Sequence, residues 1–365
     1  MSALTPRERV LLLLTAALCA VAGVANYDSW AAVPRFVLAT FALAALAWAV
    51  SFATEQLGGH FGPAVTGTLQ STLGNLPELF VVIFALQKGE LVVAQTALAG
   101  SIFANALLVL GLAIVLGSLR APDGAMRFSQ RLPNDTATLL QITVFIIVLL
   151  GLSLAAHDPA SHHVNTISAV GAGCLLLVYA AWVIPYLRSD TRPAPRAQAT
   201  PAEQPARDAR NAPRLGLRLT LVLLAVAAVG AAFVSDWFIA ALAPAIKQLG
   251  LTQAFAGLVI AAIASNAVEH TAALTLAWKQ RFDLAISVVK NSVAQIAAFL
   301  FPLLVLISFA LATTLTFALS PVYVGALALT ALAVWQVTGD GEALVFEGLA
   351  LVALYVVLAT FAFYE

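Results

Sequence analysis

Eleven apolar runs constrain the fold of this chain more than any other feature. They fall at about 10–26, 33–55, 62–86, 91–118, 137–156, 166–187, 216–236, 252–278, 284–312, 320–337 and 342–363. Most have the length, about 17–25 residues, that crosses a hydrocarbon core as a helix. In lipid every backbone polar group must find its partner within the protein, and a helix does this within one segment. Hydrophobic residues make up 61% of the 365 and charged residues 10%, which excludes a soluble domain with one core. The sequence therefore predicts an all-α polytopic membrane protein with about 11 transmembrane helices. The first run follows Arg7 and Arg9, as the apolar part of a signal peptide would. A retained helix is preferred to a cleaved one, after which ten spans would remain. Cys19 and Cys174 lie singly in apolar runs, which argues against a disulfide framework or a zinc site.

Residues 188–214 differ in kind: rich in Pro, Ala and Arg and without apolar periodicity, they read as a flexible linker. The linker divides the chain into a leading helix, 1–32, a first group of five spans, 33–187, and a second group of five, 215–365. With the N-terminus in the cytoplasm, 14 of the 18 Lys and Arg residues fall on cytoplasmic segments and three (Arg35, Lys88 and Lys247) on the opposite side. That bias fixes the expected orientation. Because each group has an odd number of spans, two related groups must insert upside down relative to each other. This is the inverted-repeat plan of secondary transporters, whose site lies near the midplane where the halves meet.

Two polar stretches interrupt the apolar runs. Ser71-Thr-Leu-Gly-Asn-Leu-Pro-Glu78 lies in the third span, and Ala264-Ser-Asn-Ala-Val-Glu-His270 lies in the eighth. A carboxylate inside a span is costly, so it faces protein or water and does a job. Pro77 removes a donor and frees carbonyls near Thr72 and Leu73, and Gly74 permits a close approach. Glu78 precedes Gly100-Ser101 by 22 and 23 positions, and Glu269 precedes Asn291-Ser292 by the same intervals. Gln87-Lys88 falls where Trp278-Lys279 falls. The candidate cation ligands are Glu78, Glu269, Asn75, Asn266, Ser101, Ser292 and Gln295. Glu78, Glu269 and His270 are the candidates for proton coupling. Two carboxylates in a low-dielectric cavity titrate as a coupled pair and hold either protons or a divalent cation. Their oxygen-rich surroundings suit Ca²⁺ better than Zn²⁺ or Cu²⁺. Two loading states that exclude each other are the basis of an antiporter.

Gly74-Asn75-Leu76-Pro77-Glu78, Gly100-Ser101-Ile102-Phe103-Ala104-Asn105 and Asn266-Ala267-Val268-Glu269-His270 resemble the paired signature repeats of the calcium/proton exchanger family, within the Ca²⁺/cation antiporter superfamily. The resemblance spans about 62–117 and 252–303. It implies exchange of cytoplasmic Ca²⁺ for external or lumenal protons, with Glu78 and Glu269 as alternating Ca²⁺ and H⁺ sites, and it makes His270 and Gln295 typical companions. The chain departs from that pattern at several points. Ser265 and Asn291 stand where the family usually has glycine, and Leu76-Pro77 is closer to sodium/calcium exchangers. Lys290 adds a cation nearby, and the linker has no acidic helix. These departures bear on ion selectivity.

The rival readings are Na⁺/Ca²⁺ or monovalent cation/H⁺ exchange on the same scaffold, an intramembrane enzyme, and a passive channel. HExxH and a serine nucleophile elbow are both missing from the sequence, so no enzyme is expected. The expected partners are Ca²⁺, protons and the lipid bilayer, with no cofactor and no nucleic acid, and homo-oligomerisation is left open. For single residues the plainer expectations are helix packing for Gly67, Gly111 and Gly257 and a snorkelling or salt-bridging role for Lys290. Glu55, Asp236, Glu342 and Glu347 are expected at interfaces. Asn105 reads equally as ligand or as packing.

Overall fold

The computed structural model describes residues 4–58, 60, 73–129, 131–189 and 214–365. It is almost entirely helical. In chain order the elements are α1 (Pro6–Tyr27), α2 (Ala32–Gly58), α3 (Leu76–Gln87) and α4 (Leu91–Arg120). They continue with α5 (Arg131–Ala155), α6 (Val164–Ser189), α7 (Leu217–Leu249) and α8 (Gln253–Ser265). The chain ends with α9 (Ala267–Trp278), α10 (Phe282–Ser308), α11 (Pro321–Thr338) and α12 (Val345–Tyr364). Among the described residues nine helices are long and apolar enough to cross a membrane, or ten if the bent pair α8–α9 counts as one span. α3 is a shorter apolar helix of 12 residues. The expected span at 62–86 is its extension, but residues 62–72 lie outside the described residues, as do Gly67, Ser71, Thr72 and the linker from 190 to 213.

The chain is an integral membrane protein whose helices pack across the two sequence halves. α2 lies along α7, and α1 packs on both. The second half of α4 packs against α12, and the second half of α10 packs against α6. α5 lies against α11. Apart from those of α1, these contacts join helices from the two halves of the sequence. Small residues allow the closest crossings. A Cβ on Gly111 would lie 2.6 Å from Gly348 O, and one on Gly348 would lie 2.6 Å from Gly111 O, so α4 and α12 touch backbone to backbone.

Two features lie beyond the sequence reading. α7 runs to Leu249, well past the expected end at 236. At 1.5 Å per residue Asp236 sits about 28 Å from the helix start, one bilayer core away. It pairs there with Lys88 at 2.5 Å, which keeps Asp236 at an interface while the helix projects beyond it. The second feature is a pair of short antiparallel strands, β1 (Ala125–Arg127) and β2 (Glu342–Leu344), in the register Ala125↔Leu344, Met126↔Ala343 and Arg127↔Glu342. Arg127 Nε donates to Glu342 Oε2 at 3.0 Å, and Ser118 Oγ donates to Ala343 O at 2.9 Å. The strands tie the α4–α5 connection to the α11–α12 connection. Cys19 and Cys174 are free thiols.

Candidate cation site

Each polar stretch breaks a helix at its asparagine. Asn75 has φ −82° and ψ 6°, and Asn266 has φ −107° and ψ 10°; both lie outside the helical basin. In the first stretch Pro77 occupies the start of α3, where its missing N–H costs nothing. The second stretch has no proline. There Ser265 Oγ donates to Ala261 O at 2.9 Å and Asn266 Nδ2 donates to Ala262 O at 2.9 Å. Side chains take the carbonyls that the ladder gives up, and α8 and α9 meet at a 63° bend. Glu78 and Glu269 are each the third residue of the new half-helix, near its positive end, where the dipole favours an anion.

The two carboxylates come together. Glu78 is buried at 1% exposure and faces Ser101, Asn266 and the Glu269 carboxylate. Glu269, which remains partly exposed, accepts a 2.5 Å hydrogen bond from Ser292 Oγ. Its Oε1 also approaches the first stretch, since a Cβ added to Gly74 would lie 3.4 Å from it. Asn266 Nδ2 crosses to Ser101 Oγ at 3.0 Å. Each acid therefore sits by the serine that follows it by 23 positions, and the polar groups of the two halves interlock. Among the described residues neither Glu78 oxygen meets full hydrogen-bond geometry, although Ser101 and Asn266 lie beside it. A buried carboxylate so loosely met demands compensation, which a proton or a cation supplies.

A close crossing of α4 and α8 sets this arrangement. A Cβ on Gly100 would lie 2.4 Å from Leu258 O, and one on Gly257 would lie 2.1 Å from Thr96 Oγ1 and 2.9 Å from Val93 O. Two glycines thus let the half-helix α8 lie on α4, and Asn266 then reaches Ser101. π-helical turns follow the serines: Ala104–Val109 in α4 and Ile296–Leu300 in α10. Such turns are frequent at functional sites.

Of the other residues singled out by sequence, Asn75, Gln295 and His270 are all buried. His270 Nε2 has no hydrogen-bond partner among the described residues. Asn105 Nδ2 donates to Ser101 O at 2.9 Å, one turn along α4, while its Oδ1 is buried without a partner among the described residues. Lys290 is buried, and its Nζ donates to Thr338 Oγ1 of α11 at 2.6 Å. It is held inside the bundle and does not snorkel to the surface. One group the sequence reading passed over as a ligand is Asn291, whose Oδ1 is buried and has no partner among the described residues. Its signal was the departure from glycine at that position. Among the described residues no group of three or more His, Cys, Asp or Glu side chains is placed to hold a metal. The groups shown to converge are two carboxylates, the hydroxyls of Ser101 and Ser292 and the Asn266 amide, and carboxylate and hydroxyl oxygens suit a hard cation.

The chain is similar to known proteins in sequence and in fold. The chain is 31% identical over 356 residues to the "Ca(2+)/H(+) antiporter" of Synechocystis sp., covering 95% of each. It is 31% identical over 348 residues to the "Vacuolar calcium ion transporter" of Schizosaccharomyces pombe, covering 93% of this chain and 82% of that one. The solved structure of native YfkE superposes with a TM-score of 0.79 at 25% identity, over 97% of this chain and all of the other. The profile described as "Sodium/calcium exchanger protein" matches residues 31–186 and 219–364, one segment in each half of the chain. With both helix breaks and both acids inside the matched segments, the chain belongs to the sodium/calcium exchanger protein family of membrane transporters.

Proposed function

We propose that the protein is a secondary active transporter that exchanges cytoplasmic Ca²⁺ for H⁺ by alternating access. One observation carries the reading: Glu78 and Glu269, from two separate helix breaks, face each other inside the bundle, each beside its own serine. Ca²⁺ occupies this pocket with Asn75, Asn266, Ser101, Ser292 and Gln295 as neutral oxygen ligands. Protons take its place on Glu78 and Glu269, and His270 supports the relay. Because one pocket cannot hold the metal and both protons, loading with one expels the other. The names of the Synechocystis and fission-yeast relatives support calcium as the cargo.

The chain divides into a leading helix, 1–32, a first repeat, 33–187, a cytoplasmic linker, 188–214, and a second repeat, 215–365, inverted relative to the first. The matched breaks, serines and π-helical turns support this division. The N-terminus lies in the cytoplasm on the evidence of the Lys and Arg bias, and the chain resides in a bacterial inner membrane. α2 and α7, which open the two repeats and pack along each other, slide against the remaining helices and turn the pocket from one side to the other.

Flux into proteoliposomes tests the reading. An outward proton gradient should drive Ca²⁺ uptake, and both Glu78→Gln and Glu269→Gln should abolish it while the protein still inserts as a folded monodisperse species. Wild-type exchange in either variant would reject the assigned roles. Ca²⁺ movement that needs Na⁺ and ignores the proton gradient would replace this reading with sodium/calcium exchange.

A further inference from the structure

α10 carries a polar stripe that α4, its counterpart in the other half, does not. Asp283, Ser287, Asn291 and Gln295 follow one another at intervals of four, so each neighbours the next and the stripe winds by about 120° around the helix over its length. Over about 18 Å their exposure falls steadily: Asp283 is exposed, Ser287 and Asn291 are partly exposed, and Gln295 is buried. The stripe starts at the helix end that carries Lys279 and Arg281 and runs towards Ser292 and Glu269 at the pocket. The corresponding positions of α4 are Val92, Thr96, Gly100 and Ala104, of which Thr96 and Ala104 are 2% and 0% exposed. That side is sealed by α8, whose Leu258 carbonyl leaves no room for a Cβ at Gly100.

Lipid does not favour such a stripe. Asn291 Oδ1 is buried with no donor among the described residues, and an amide oxygen at membrane depth needs a protein, water or ion partner. Ser287 Oγ donates to Asp283 O at 2.6 Å, and a hydroxyl that donates can still accept. Asp283 Oδ1 accepts from Ser129 N at 2.7 Å, so the carboxylate at the mouth is held in place. A single acid at the mouth followed by neutral oxygens attracts a hydrated cation without trapping it.

We infer that this side of α10, from Asp283 past Ser287 and Asn291 to Gln295, is the path by which the divalent cation reaches the pocket from the cytoplasm, with Asn291 as its last neutral contact before Glu269. The inference rests on the proposed exchange and on the assigned orientation. It makes the two halves unequal: the residue that closes the path as glycine in α4 opens it as asparagine in α10.

Cysteine accessibility tests the path without requiring transport. Ser287→Cys and Asn291→Cys are treated with a charged, membrane-impermeant thiol reagent in inside-out and right-side-out vesicles, against the parent protein with its Cys19 and Cys174. Thr96→Cys serves as the sealed counterpart, and Leu306→Cys serves as an exposed apolar position. Both stripe positions should react at least tenfold faster than either control in inside-out vesicles, and Ca²⁺ should slow the Asn291→Cys reaction unless Glu269→Gln is also present. Reaction no faster than at Thr96→Cys, reaction from the outer side alone, or equal reaction at Leu306→Cys would overturn the path. Ser287→Cys bonds a carbonyl of its own helix and carries the test if Asn291→Cys fails to fold. Loss of exchange in Glu78→Gln together with unreactive stripe cysteines would sink the path and leave the proposed exchange standing.

Discussion

Replacing Gly100 with alanine puts one methyl group between two backbones. The new Cβ lies 2.4 Å from Leu258 O and 2.5 Å from Leu258 Cα, where ordinary contact begins at 3.4 Å. The obstacle is main chain, so no rotamer change relieves it, and α4 and α8 must part by about 1 Å. The Asn266 Nδ2 to Ser101 Oγ hydrogen bond, now 3.0 Å, stretches with them. Overpacking of this kind costs about 1–3 kcal/mol, which is about 5- to 150-fold in the population of the arrangement that sets Asn266 against Ser101. Ca²⁺ exchange in proteoliposomes should therefore fall by about tenfold or more in Gly100→Ala, with a matching loss of thermal stability in detergent. Gly111→Ala is the control: its Cβ meets Gly348 O at 2.6 Å in a crossing of α4 with α12, outside the α4–α8 contact. It should lower stability and leave the KM for Ca²⁺ unchanged. Wild-type exchange and stability in Gly100→Ala would refute the claim that this contact positions the pocket.

Removing the Ser292 hydroxyl by Ser292→Ala deletes the 2.5 Å hydrogen bond to Glu269; a hydrogen bond to a charged group is worth about 1.5–3 kcal/mol, so Ca²⁺ affinity by isothermal titration should weaken about tenfold or more. Lys290→Met replaces a buried ammonium bonded to Thr338 with an apolar chain of similar length, and buried charges so replaced are often neutral or stabilising. Folding should therefore survive, as read by thermal stability, and exchange should persist; abolished exchange would make Lys290 part of the machinery. Protons and Ca²⁺ compete for the same acids, so the apparent affinity for Ca²⁺ should fall as the pH is lowered, by up to about tenfold per pH unit for each proton displaced. A pH-independent affinity would contradict the competition.

The meeting of the two acids and their serines was legible in the sequence because its signals are local. Acids inside apolar runs are costly enough to mark themselves, Pro77 and the two asparagines mark the breaks, and the 23-residue intervals pair each acid with its serine. What sequence could not supply was which groups cross between the halves. Asn266 bonds Ser101, not the serine of its own half, and Gly257 meets Thr96; such contacts between distant parts of the chain leave no periodic trace. Lys290 finds Thr338 48 positions away, and nothing in either segment announces the partner. The strands Ala125–Arg127 and Glu342–Leu344 span three residues each, too short for an alternating pattern to show. The extension of α7 to Leu249 was hidden by Asp236, which reads as an end although its charge is met by Lys88.

The central claim is that Glu78 and Glu269 form one cation site, and calorimetric titration of Ca²⁺ into the wild type, the two Glu→Gln variants and the double variant at one fixed pH tests it most directly. The account predicts a single binding event in the wild type, lost in each single variant, with the double variant no worse than either. Binding retained at wild-type affinity in one single variant, or two events of which each variant removes one, would contradict it.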